Sequence, residues 1–213
     1  LAKTRALAEL ASRVAGPARE RRFSYRFESG GLEGAVHAID DRELFDIGHD
    51  TADKPRRLLL AWVRLLALQA STEAPCIARI VGIADGEVVE RALSLEGGAS
   101  ERRTRALDVL EDLVALRHEG LSRPLHLFEK ASFALAKELV SKKSSEDLAF
   151  ARARDAWRSG YNTRGDIDDP FLALAYPTGA APFIERGALS HDMIDLARRV
   201  YVPILEAASE GER

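Results

Sequence analysis

This 213-residue chain contains little sulfur and little aromatic carbon. It has one cysteine, Cys76, one methionine, Met193, and only 7% aromatic residues. A lone cysteine excludes an intrachain disulfide and fits a reducing compartment, so a cytoplasmic location is expected. The five histidines, at positions 37, 49, 118, 126 and 191, show no His-x-x-x-His spacing and no Cys-His set, so no zinc is expected. The longest apolar stretch, Leu58 to Leu68, is interrupted by Arg64 and is too short to cross a bilayer; no membrane partner is expected. No secretory leader is expected. A net charge of −3 lacks the broad basic field of a nucleic-acid binder, so any DNA contact has to come from local patches. Gly30-Gly31 and Gly97-Gly98 lead into no G-x-G-x-x-G or Walker run, and no serine-centred elbow is present. No cofactor and no small-molecule substrate is expected.

What is present suits a folded domain. The chain is 46% hydrophobic and 31% charged, and it is long enough for a full core. It begins at Leu1 and its only methionine is Met193, so a segment of a longer polypeptide is expected. Leu1 to Ala15 has helical spacing and ends at Gly16-Pro17. Phe23, Tyr25 and Phe27 alternate with polar residues, as in a half-buried strand. Gly30-Gly31 suggests a hairpin turn, Leu32 to Ile39 a second strand, Asp40-Asp41 a turn, and Glu43 to Ile47 a third strand. Pro55 suits the first turn of a helix running to about Ala70, with Leu58, Trp62, Leu65, Leu66 and Gln69 on one side. Cys76 to Ala84 and Glu87 to Leu95 flank Asp85-Gly86 as an ordinary hairpin. A helix from Glu101 to about His118 stops at Gly120.

Beyond Gly120 the character changes. Ser122 to Phe128 is extended, Ala131 to Ser159 is helical with a break near Ser144-Ser145, and Gly160 to Tyr176 is a polar loop. The last helix, from Asp192 to about Ala208, should kink at Pro203. The expected organisation is a core over residues 1–120 and a helical C-terminal extension over 121–213 packed on the same domain.

The segment from Gly34 to Gln69 resembles the core of restriction-endonuclease-type nucleases. There one strand carries Asp after Gly, the next carries Asp/Glu-x-Lys, and a helix packs behind. Here the corresponding positions are His37, Asp46 and Gly48. Magnesium takes hard oxygen ligands, so cleavage needs convergent carboxylates, and a lysine stabilises charge on the phosphate. One carboxylate, one imidazole and one glycine do not supply this. The resemblance implies an α/β (α+β) fold, a restriction-endonuclease-like mixed sheet flanked by helices, with its catalytic positions degenerate.

A second block extends the resemblance. Pro124-Leu125-His126-Leu127-Phe128, Ala156-Trp157-Arg158-Ser159-Gly160-Tyr161-Asn162 and Gly165-Asp166-Ile167-Asp168-Asp169-Pro170, in this order, resemble the C-terminal end of the gamma subunit of exodeoxyribonuclease V, the RecC family. Together the two blocks cover nearly the whole chain from about residue 20. The resemblance implies a non-catalytic part of the RecBCD helicase–nuclease complex. Its partners would be the beta and alpha subunits and double- and single-stranded DNA, and its work would be strand splitting or channelling and assembly.

Basic residues at two helix starts, Lys54, Arg56 and Arg57, then Arg102, Arg103 and Arg105, are the DNA-contact candidates. Cations at the start of the helix from Pro55 oppose its dipole, which adds slightly to the case for a phosphate contact, while solvation of the helix ends is the competing use of all these arginines. Tyr161, Arg164, Phe171 and Tyr176 are the partner-contact candidates, since aromatics and arginine anchor interfaces. Two other readings stay open. A lysine on the 55–70 helix, acting beside Asp46, Asp50 and Glu33, would make an active nuclease. A pure docking module would make no DNA contact. The Asp166, Asp168, Asp169 cluster lacks the glycine and downstream glutamate of a calcium loop, and Asp169 before Pro170 suits a helix cap instead.

Overall fold

The computed structural model describes residues 18–141, 144–160, 164–177, 180–185 and 188–210. The chain divides into two compact units. One holds Leu1–Ser122 with Ala207–Arg213, the other Arg123–Glu206. The expected helix over Leu1 to Ala15 lies outside the described residues.

The first unit is built on a mixed sheet. Strands β1 (Ala18–Phe27), β2 (Gly30–Ile39) and β3 (Glu43–Ile47) form an antiparallel meander. Helix α1 (Pro55–Ala70) then crosses over, and β4 (Ile77–Ala84) pairs parallel to β3. β5 (Glu87–Ser94) returns antiparallel, and the short β8 (Ala208–Glu210) closes the order β1-β2-β3-β4-β5-β8. With α1 and α2 (Ala99–Ser122), this is the mixed sheet flanked by helices that the sequence led us to expect.

Local chemistry explains each element. β1 and β2 pair without a bulge from Ala18↔Ile39 to Phe27↔Gly30. Their turn is therefore Glu28-Ser29. The expected Gly30-Gly31 turn lies one notch too late, because Gly30 already opens β2. Asp40 and Asp41 both adopt positive φ, which aspartate tolerates better than most residues, and so make the next tight turn. Asp85-Gly86 forms a two-residue turn closed by Ala84↔Glu87, and the ribbon runs three residues past the last β3 pairing, Ile47↔Val81. It is the ordinary hairpin expected.

Helix α1 starts at Pro55 and buries Leu58, Trp62, Leu65 and Leu66 against the sheet. Gln69 is fully buried and fully used. Its amide donates to the carbonyls of Thr72 and Ala74 (3.1 and 2.9 Å) and its oxygen accepts from the Cys76 N–H (3.0 Å). A buried amide with every partner met fixes the approach to β4. Burial among apolar neighbours pushes the Cys76 thiol up to about 11, the signature of a packing cysteine. Helix α2 carries Ala106, Leu110, Val114 and Leu116 inward and continues through Gly120, where a stop was expected, to Ser122.

The second unit contains α3 (Glu129–Val140), α4 (Glu146–Trp157), a 3-10 turn (Asp166–Asp168), α5 (Pro170–Ala175), the small β6–β7 ribbon (Ile184–Glu185, Ala188–Leu189), α6 (His191–Val200) and α7 (Val202–Ala207). Phe128, Trp157 and Phe183 are buried together, with ring centroids 5.0 to 5.7 Å apart. The expected break near Ser144-Ser145 falls where the Ser145 side chain caps α4 by accepting from Leu148 N–H. The kink expected at Pro203 is a full break between α6 and α7 at Tyr201, and the chain leaves α7 as strand β8. A proline lacks the N–H that would bond one turn back. No described helix is long and apolar enough to cross a membrane.

Candidate functional site

The site lies where β3 hands over to α1. Leu44 and Asp46 share a face of β3, and register places Asp46 beside Ile80 of β4. The connection over residues 48–54 then passes over β4 at Gly82. A Cβ on Gly82 would lie 2.1 Å from the Asp50 carbonyl oxygen and 2.5 Å from the Ala52 nitrogen, so only glycine allows the crossing. The Ile83 N–H donates to the Asp50 carbonyl (3.3 Å) and the Gly48 N–H to the Val81 carbonyl (3.0 Å), pinning the loop to β4.

Arg57, in the first turn of α1, reaches into this crossing. Its Nε donates to Asp46 Oδ2 (2.8 Å). Nη1 donates to the carbonyls of Asp50 (2.6 Å) and Thr51 (3.3 Å), and Nη2 to those of Asp46 (2.9 Å) and Val81 (2.8 Å). A guanidinium has five N–H donors, and here all five are engaged. Arg57 thus ties together β3, the loop, β4 and α1. Its side chain is 13% exposed and that of Asp46 28%.

Gly48 packs under the same group. A Cβ there would sit 3.3 Å from Arg57 Nη2. The resemblance to restriction-endonuclease-type nucleases leads one to expect a lysine at this position. In this protein the cation on Asp46 comes from α1 instead, and residue 48 is flat against it.

The other sequence-selected positions do not converge here. Among the described residues β2 and β3 pair only at Ile39↔Glu43, so no register pair joins His37 to Asp46. Val36 and Ala38 are buried, whereas the His37 side chain is 68% exposed on the opposite face, 4.0 Å from Glu20. Glu33 lies on the His37 face and accepts from the Ser24 hydroxyl (3.1 Å). Lys54 pairs with Asp50 (2.7 Å), which holds the Asp50 carboxyl below the usual carboxylate range. Asp53 pairs with Arg91 (2.7 Å). Among the described residues no three of His, Cys, Asp and Glu gather closely enough to hold a metal ion. The donor set around Asp46, one carboxylate already bound by a guanidinium, does not fit magnesium.

Of the arginines at the start of α2, Arg102 is turned inward, donating to the carbonyls of Gly97 and Glu73, with its Nε buried. Arg103 and Arg105 are exposed, as is Arg56 on α1. In the second unit Phe171 is 81% exposed on α5, and Leu174, one turn on, is equally exposed. Arg164 is exposed, and its carbonyl accepts from Lys130 Nζ (2.5 Å). Tyr176 packs edge-on against Trp157 and Phe128, so it serves the core of its unit. Tyr161 lies outside the described residues.

The acidic cluster is spent on backbone amides. Asp169 caps α5 through the N–H groups of Phe171 and Leu172, and Asp168 accepts from Gly165 N–H. Asp166, buried, caps the start of α3 from outside, accepting from Lys130 and Ala131 N–H at 2.7 to 3.1 Å.

A family model described as the RecC C-terminal domain matches residues 1–139, well over half of the chain. The chain belongs to the RecC C-terminal domain family. No curated protein matches it. Membership associates it with the RecC gamma subunit of exodeoxyribonuclease V, the RecBCD complex, and DNA repair and recombination. Within this RecC domain, sequence pattern located Asp46 and Gly48 but not Arg57 as their partner. The available signal was the alternation Val36-His37-Ala38, which already sets His37 apart from its apolar neighbours.

Proposed function

We propose that this chain is a non-catalytic scaffold of the RecC subunit, one that helps to channel or split DNA strands and to assemble the complex. The observation that carries this reading is Arg57. It takes up the carboxylate that a nuclease would give to its metal, and it does so with every donor engaged. The active-nuclease alternative needs a free lysine beside Asp46, yet Lys54 is drawn to Asp50 and Arg57 fills the place. Incubating the purified chain with end-labelled duplex and single-stranded DNA in magnesium or manganese tests this. No cleavage is expected. Cleavage that vanishes in Asp46→Ala would establish the nuclease instead.

For DNA, the exposed Arg56, Arg103 and Arg105 are the contacts to retain, whereas Arg57 and Arg102 have their donors turned to the protein. Binding is expected to be weak, sequence-independent and salt-sensitive. Each phosphate contact removed by Arg→Ala should flatten the salt slope by about one unit. An unchanged slope in the triple variant would take these residues out of the DNA path. Pure docking without DNA contact draws support from Phe171 and Leu174, whose apolar side chains stand in solvent on one short helix.

A further inference from the structure

The edge of the first unit's sheet presents a surface that the nuclease-like reading does not use. β1 is the terminal strand of the sheet order, and among the described residues it pairs only with β2. It is long, ten residues against a usual five or six, and spans roughly 34 Å. It has no proline and no bulge, two of the devices that blunt an edge, and relies on a third, its charged side chains, to discourage indiscriminate pairing. Every second residue therefore turns its N–H and C=O away from β2.

Charge is concentrated on the same strand. β1 carries Arg19, Arg21, Arg22 and Arg26 against one acid, Glu20, within a chain whose net charge is −3. Alternation places Arg19 and Arg21 on one face of the sheet and Arg22 and Arg26 on the other, so the open edge is lined by cations on both sides. Arg22 is paired to Glu20 and Arg21 to Asp41, but these pairs are on the surface, with the Arg22 side chain 85% and the Arg21 side chain 50% exposed. Exposed pairs of this kind contribute little to stability, so a competing carboxylate can replace them.

We propose that the outward edge of β1, unpaired among the described residues, receives an extended acidic segment of a partner protein, which adds to the sheet as a further strand. Strand addition draws affinity from main-chain hydrogen bonds, with side-chain complementarity selecting the sequence. A nucleic-acid strand fits the charge but not the edge. Its phosphates only accept hydrogen bonds, so they would match the outward N–H groups and oppose the outward carbonyls. A peptide strand meets both. The proposal is independent of the chemistry at Asp46 and stands whether or not DNA is cleaved there.

The test uses the purified chain and a ten-residue probe peptide of alternating glutamate and valine. Its controls are the same peptide with lysine for glutamate, the same peptide with two central prolines, and a dT oligonucleotide. Binding is read by fluorescence anisotropy, and backbone amide exchange is followed along β1. The glutamate peptide should bind, slow exchange at alternate β1 amides, and lose at least tenfold in affinity when lysine or proline is introduced. The double variant Arg22→Glu/Arg26→Glu should lose binding while keeping its thermal melt. Equal binding of the proline peptide, unchanged β1 exchange, tighter binding of the oligonucleotide at the same residues, or no binding of the glutamate peptide would each overturn the proposal. A β1 Ser24→Pro variant provides a second check. Its hydroxyl bond to Glu33 is on the surface, so loss of peptide binding with retained near-ultraviolet dichroism supports strand addition, and retained binding refutes it.

Discussion

Replacing Arg57 by alanine tests the latch directly. The variant leaves the Asp46 carboxylate without its cation and removes the donors from the carbonyls of Asp46, Asp50, Thr51 and Val81. Breaking a fully buried ion pair costs about 3–5 kcal/mol, and one hydrogen bond to a charged group nets about 1.5–3 kcal/mol. Asp46 retains 28% exposure, so water can reach it once Arg57 is gone. The five bonds also share one side chain and do not add independently. These considerations place the loss near 3 kcal/mol, or about 6–12 °C in melting temperature for a chain of this size. Urea unfolding followed by far-ultraviolet dichroism measures it. Arg57→Lys should recover only part of the loss, because an ammonium keeps the charge but not the planar fork. In a double-mutant cycle with Asp46→Asn, the coupling should be about 1–2 kcal/mol. A loss below about 0.5 kcal/mol for Arg57→Ala, the range of an ordinary surface change, would show that the crossing does not depend on this guanidinium.

Gly82→Ala should destabilise by about 2 kcal/mol or more, since its Cβ would meet the Asp50 carbonyl at 2.1 Å; a neutral urea melt would mean that the 48–54 loop moves aside freely. Asp166 offers a pH test. Burial pushes its carboxyl above the ordinary value of 3.8 despite the Ala131 and Lys130 amides. Its contribution is therefore full below that value and falls as pH rises through the raised one, so Asp166→Asn should gain on the wild type as pH climbs, and a slope of the opposite sign would refute the assignment. Asp166→Ala, which removes the acceptor altogether, should cost about 1–2 kcal/mol as a lost cap at any pH. Phe171→Glu with Leu174→Glu should leave the melt within about 0.5 kcal/mol, because neither side chain contributes to a core; a larger loss would mean that α5 packs more closely than its exposure indicates.

Elements whose residues carry their own geometry were legible. Alternation in Phe23, Tyr25 and Phe27 located β1, helical spacing from Leu58 to Gln69 located α1, and Asp85-Gly86 and Ser144-Ser145 marked a turn and a helix break through local chemistry alone. The first hairpin was misplaced because two adjacent glycines drew the turn toward them. Gly30 in fact serves β2, where a Cβ would strike the His118 ring at 2.6 Å, a contact made 88 residues away. Arg57 was visible as a basic residue at a helix start but not as a latch, since four of its five acceptors are main-chain oxygens, one of them on β4. Main-chain acceptors leave no mark in a sequence. The side of β2 on which His37 stands was legible, because Val36 and Ala38 flank it, and weighing that alternation against motif spacing would have separated His37 from Asp46 in advance.

Latch and metal site exclude one another on electrostatic grounds. A divalent cation on the Asp46 carboxylate would stand about 4 Å from the Arg57 guanidinium, where a +2 and a +1 charge repel by about 8 kcal/mol at an effective dielectric constant near 20. Arg57 would have to leave, giving up the bonds that hold β3, β4 and α1 at their crossing. Gly48 leaves no side chain to take over either task. A fold of the nuclease kind ordinarily brings carboxylates together at this crossing and leaves a metal to neutralise them. Here the protein's own cation, Arg57, neutralises the Asp46 carboxylate, so the crossing is held from within. A crossing locked in this way is suited to serve as a rigid support for surfaces elsewhere on the domain.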